Sequence, residues 1–159
     1  MIDLMKAGLL HSLFYLPYSF VMPNKLFADE LLSLPAGEKI ALTEAGLEVL
    51  IFDERQFGLA KHYANVHVQL KLNDCLTLVL AEETHNCILL TGDASLRAIA
   101  EEKGIEVRGV LWAIDQIAAH GLAPAAKICS VLRQFLDDSR VFLPKDELLS
   151  RLRRLEQRV

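Results

Sequence analysis

The run Cys87-Ile88-Leu89-Leu90-Thr91 is unbroken, almost wholly apolar, and closed by Gly92-Asp93. A strand exposed on one face alternates apolar and polar side chains, so a continuous run of this length predicts a strand covered on both faces. Helical spacing flanks it on either side. Leu76, Val79 and Leu80 share the inward side of a helix starting at Leu72 or Asn73 and running to about residue 84. Asp93 starts a second helix over residues 94–103, which Gly104 ends. Helix, buried strand and helix in succession is the building unit of a parallel α/β sheet.

The same alternation extends over most of the chain. Residues 2–15 read as a helix with Leu4, Leu9, Leu10, Leu13 and Phe14 on or near one face. A short strand over 18–22 is closed by Pro23. Asn24 can cap a helix to about residue 34, and Pro35-Ala36-Gly37 breaks the pattern. A weak helix over 38–45 leads through Gly46 into a strand over 47–52, and Asp53 caps a helix reaching about residue 63. Residues 65–72 connect. The last strand is expected over 105–107 and a helix over 112–120. Beyond Leu122 the alternation stops, leaving helices over about 124–136 and 144–158. The pattern therefore predicts an α/β domain over 1–121, with a helical extension over 122–159 packed on the same core.

With 159 residues and 52% apolar content, the chain is long enough to bury one real core and too apolar for disorder. A net charge of −4 supplies no global positive field to attract a polyanion, although a local basic strip could do so. Cys75, Cys87 and Cys129 are an odd set without paired spacing, as expected of reduced thiols in a cytoplasmic protein. Neither they nor the five histidines cluster as zinc ligands do. The apolar stretch 9–22 contains His11, Ser12 and Pro17 and is too short to span a bilayer, so it reads as core and no membrane partner is expected.

Two carboxylates then draw attention. Asp93 follows the buried strand, and Asp74 opens the helix that precedes it. In a parallel sheet both arrive at the carboxyl ends of the strands, where such folds build their sites. Thr91 adds a hydroxyl and Gly92 permits a close backbone approach. Each acid alone has a plain structural reading. Asp74 complements a helix dipole, Asp93 caps a helix, and Glu30 belongs to a solvated helix face. Together they suit a divalent cation, which keeps crowded carboxylates ionised and can activate water toward a phosphate ester. Arg97, one turn past Asp93, is placed to meet a phosphate or to serve as a surface arginine. His62, His67 and His85 read as surface groups, Cys75 as a packed thiol and Trp112 as a packing anchor. The segment 140–159 has six basic and three acidic residues, either an RNA-facing strip or a solvated face.

Leu72-Asn73-Asp74-Cys75, then Leu89-Leu90-Thr91-Gly92-Asp93-Ala94-Ser95-Leu96-Arg97, then Gly104-Ile105-Glu106-Val107-Arg108-Gly109 resemble a PIN domain, the nuclease fold of toxin endoribonucleases in bacterial toxin–antitoxin pairs. Met22-Pro23 followed by Glu30-Leu31 is similar to that family's proline-then-acid helix. The resemblance implies a three-layer α/β/α fold with a central parallel sheet, and Mg²⁺ or Mn²⁺ held by acids that Glu30, Asp74 and Asp93 match by position. It also implies RNA as substrate, with Thr91 and Arg97 as substrate-binding candidates, and brings an antitoxin partner and a homodimer as expectations. One departure stands out. The family's first strand ends in an aspartate, whereas the chain here opens on what reads as the following helix, with Asp3 inside it. That strand and its acid would lie just ahead of Met1, cut off by a misassigned start or truncation or genuinely lost, and the chain by itself is expected to cleave RNA little or not at all.

Two other readings compete. A catalytically incomplete PIN-like module would bind RNA or a protein without holding Mn²⁺ through Asp74 and Asp93. A small phosphatase of another α/β fold would hydrolyse a generic phosphate ester but not RNA, and no nucleophile motif supports it.

Overall fold

Strands here pair in parallel twos. The computed structural model describes residue 4 and residues 8–32, 35–139 and 141–157, with Glu30 described by its backbone alone. β1 (Phe20–Pro23) pairs with β2 (Leu47–Leu50), Phe20 opposite Leu47 and Pro23 opposite Leu50. β3 (Ile88–Leu90) pairs with β4 (Glu106–Arg108), Ile88 opposite Glu106 and Leu90 opposite Arg108. Among the described residues these are two separate two-stranded sheets, so β1 and β3 each carry one hydrogen-bonded neighbour.

Nine helices accompany them among the described residues: α1 (Leu10–Phe14), α2 (Asn24–Glu30), α3 (Ala36–Glu44), α4 (Glu54–Val66), α5 (Leu72–Glu83), α6 (Ala94–Glu102), α7 (Val110–Ala119), α8 (Ala125–Asp137) and α9 (Lys145–Glu156). None is long and apolar enough to cross a membrane. The chain divides into two compact units, residues 17–109 and residues 1–16 with 110–159. The sequence places that boundary at residue 121, because helical spacing does not say which neighbours a helix will choose. α7 buries Leu111, Ala113, Ile114 and Ile117 and packs with α1 and α8.

In the 17–109 unit the core is built around α5. Cys75, Leu76, Leu78 and Val79 are almost fully buried with Leu89 of β3, Leu96 and Ile99 of α6, and Val107 of β4. α5 also packs against α2, α4 and β1. Leu89 is buried while Ile88 and Leu90 are half-buried, so coverage of β3 is less complete than its continuous apolar run suggests. The helix ends follow local chemistry. Asp53 and Gln56 close a capping box at the start of α4, with Gln56 N–H donating to Asp53 Oδ1 at 2.7 Å. At the end of α6, Gly104 takes φ +77 while Ile105 N–H reaches Ala100 O and Gly104 N–H reaches Glu101 O, the paired bonds of a Schellman close.

The other unit is helical. α8 and α9 pack together, with Ile128, Val131, Leu132 and Phe135 buried on α8 and Leu148, Leu152 and Leu155 buried on α9, whereas Leu149 stays 38% exposed. Gly8 corrects the expected helix over 2–15. It sits at φ +67, Leu9 N–H bonds back to Leu4 O, and α1 begins at Leu10. Asp3 lies outside the described residues. Asn24 is the first residue of α2 rather than its cap, and α2 ends at Glu30, before the expected residue 34.

Lys103, just past α6, ties three helices at their surfaces. Its Nζ donates to Glu82 Oε1 at 2.7 Å and Tyr63 Oη at 3.1 Å, and lies 4.5 Å from the Tyr63 ring centre. The Glu82 hydrogen bond is the main reason its ammonium is held above the ordinary 10.5. A raised folded value stabilises fully below 10.5 and loses its contribution as pH rises through the folded value. Lys103→Met is expected to lower unfolding free energy by about 1 kcal/mol at neutral pH. In urea titrations, that deficit should shrink above pH 10.5.

Candidate functional site

The turn that follows β3 is built by three hydrogen bonds. Thr91 N–H donates to Arg108 O at 2.9 Å, carrying the β3–β4 ladder one residue past the strand. Asp93 N–H donates to Thr91 Oγ1 at 3.1 Å, and Asp93 Oδ1 accepts from Leu96 N–H at 2.8 Å. The carboxylate thus caps α6 while standing exposed at the carboxyl end of β3. Gly92 has open space where a Cβ would stand, so no close approach explains it, contrary to expectation.

Asp74 occupies the first turn of α5, half-buried, with Oδ2 accepting from Lys71 N–H at 2.9 Å. Its neighbour Cys75 is fully buried. Burial first, and the Asp74 charge second, push the Cys75 thiol upward, so it is a packed group and a poor nucleophile. His62 and His85 are exposed and His67 half-buried.

A contact that the sequence does not announce lies beside Asp74. Asn73 Nδ2 donates to Asp29 Oδ2 at 2.9 Å, and Lys25 Nζ reaches the same oxygen at 2.9 Å. The Asn73 bond, then the Lys25 bond, hold the Asp29 carboxyl below its ordinary value. Asn73 Oδ1 is buried with no hydrogen-bond partner. Glu30 is the last residue of α2, one position beyond Asp29, and its side chain lies outside the described residues.

Arg97 is largely engaged by the fold. Its Nη2 donates to Thr91 O at 3.3 Å, and its Nη1 lies 3.5 Å from Val107 O and 3.4 Å from Glu101 Oε1. It therefore braces the turn that carries Asp93, and its side chain is 35% exposed toward any anion. Two arginines of the basic C-terminal segment are likewise engaged. Arg151 and Arg154 both converge on Asp115, Arg151 also pairs with Glu147, and Arg133 on α8 takes Glu156. Arg151 is only 17% exposed. Arg140 and Arg158 lie outside the described residues.

Asp74 and Asp93 each retain one carboxylate oxygen without a partner among the described residues. Such hard oxygens suit Mg²⁺ or Mn²⁺ in kind. Among the described residues, no three His, Cys, Asp or Glu side chains converge as a ligand set.

A family model described as a PIN domain matches residues 1–157. No curated protein and no solved structure matches the chain.

The capping role of Asp93 can be separated from any ligand role. An asparagine oxygen caps as well as aspartate does, so Asp93→Asn should leave the urea midpoint nearly unchanged, while Asp93→Ala should cost about 1 kcal/mol. A large loss in Asp93→Asn would mean that its charge serves the fold.

Proposed function

Because this chain belongs to the PIN-domain family, whose members are of nuclease type, we propose that it is a Mg²⁺- or Mn²⁺-dependent ribonuclease that hydrolyses RNA phosphodiesters. The observation that carries the reading is the pair Asp74 and Asp93, each at the start of a helix, each with a free carboxylate oxygen among the described residues. With Glu30 they are the residues that would hold the metal. A bound cation would supply charge neutralisation at the phosphoryl oxygens and a more acidic water. The chain's own contribution is positional. Leu96 N–H fixes the Asp93 carboxylate, Lys71 N–H fixes that of Asp74, and Arg97 holds the Thr91 turn. In this reading the exposed edge of Arg97 and the Thr91 hydroxyl are the groups that would meet a phosphate.

A toxin role, an antitoxin that covers this edge, and a homodimer belong to the same reading and rest on resemblance. A cytoplasmic setting is supported by three free thiols, two of them buried. A second reading, a PIN-like module that binds RNA or a protein without cutting, is favoured by the cap bonds that already occupy one oxygen of each aspartate.

The test is Mn²⁺-dependent cleavage of a mixed RNA pool by the chain and by a form lengthened at its N-terminus with an apolar strand ending in aspartate. Each is compared with its Asp93→Asn variant. The lengthened form should cut at least about tenfold faster than the chain, since ligand charge sets metal affinity. Asp93→Asn should remove about 100-fold or more of that rate. Cleavage that survives Asp93→Asn contradicts the proposal, and no cleavage by either form favours the binding module.

A further inference from the structure

We infer that Asn73 is a positioning residue that clamps the last turn of α2 to the first turn of α5 and so sets the place of the α2 acid relative to Asp74. The inference rests on the metal-site reading above and deepens it. Asn73 and Asp29 are 44 positions apart, yet their side chains meet at 2.9 Å, one residue before Asp74 and one residue before Glu30. An ionised aspartate only accepts, so the Asn73 amide can face Asp29 only through Nδ2. That choice forces Oδ1 into its buried, partnerless position, a cost that a surface asparagine would avoid by turning outward. Lys25 holds the accepting oxygen from within α2 at 2.9 Å. On the other side of the same turn, Leu31 is fully buried, and its N–H bonds to Phe27 O. The end of α2 is therefore held twice, by an apolar anchor and by this hydrogen bond. The second of these reaches Asn73, next to Asp74 in the first turn of α5.

A group that orients metal ligands without touching the metal changes affinity more than it changes folding. The test is Mn²⁺ titration by calorimetry on the full chain, with urea midpoints measured alongside. The wild type is compared with Asp93→Asn, Asn73→Ala, Asp29→Ala and the exchange variant Asp29→Asn/Asn73→Asp, in which an amide and a carboxylate again face each other. The expected result is about a tenfold loss of Mn²⁺ affinity in either alanine variant, with urea midpoints close to wild type. The exchange variant should recover most of the loss. Asn73→Ala binding Mn²⁺ as tightly as wild type overturns the inference. So does an exchange variant as weak as the alanine variants, since restored pairing would then be irrelevant. Wild-type binding that Asp93→Asn leaves unchanged has a different signature: it removes the metal site itself, and the positioning role falls with it.

Discussion

Burial of one helix, α5, is the constraint on which the rest of the 17–109 unit depends. Its Cys75, Leu76, Leu78 and Val79 are almost wholly removed from water against β3, α6 and β4, and the same helix packs on α2, α4 and β1. Side chains of this size contribute roughly 1.5–3 kcal/mol each when fully buried, far more than any ion pair on the surface. The direction of α5 is therefore fixed by apolar packing. Its first turn, with Asn73 and Asp74, is carried to its place as a consequence.

What the polar groups add is precision at the strand ends. Asp93 is oriented by Leu96 N–H, its turn by Thr91 and Arg97, Asp74 by Lys71 N–H, and the end of α2 by Asn73 and Asp29. Almost all of these are bonds between a side chain and the backbone of a helix start or strand end, where unpaired N–H and C=O groups are available. That arrangement explains why an acid can be both a cap and a ligand candidate. The cap uses one oxygen and aims the other.

Much of the fold is legible in the sequence because it rests on local rules. Asp53 after a strand announces a cap, Gly104 after an amphipathic turn announces a helix end, and Asp93 after a buried strand announces another cap. Local rules fail where the decisive partner is distant. Apolar spacing alone carries a helix through Gly8, yet the backbone there turns left-handed. Helical spacing runs α2 past Glu30, and nothing in it signals that Leu31 will be buried as the cap. Arg97 looks available to a phosphate until the carbonyls of Thr91 and Val107 come round to meet it. The basic C-terminal run looks like a strip until Asp115, 36 positions before Arg151, gathers two of its arginines. The Asn73–Asp29 contact belongs with these, since each residue alone is unremarkable on a helix surface.

The central claim is that Asp74 and Asp93 serve one divalent cation. Paramagnetic broadening by trace Mn²⁺ in the amide spectrum of the ¹⁵N-labelled chain tests it most directly, because the effect marks every backbone group near the ion without requiring turnover. The account predicts that signals of residues 72–75 and 91–94 broaden together, at the same Mn²⁺ concentration, and that both sets stay sharp in Asp93→Asn. Broadening of one set without the other, or broadening centred on carboxylates elsewhere such as Glu101 and Glu102, would contradict it.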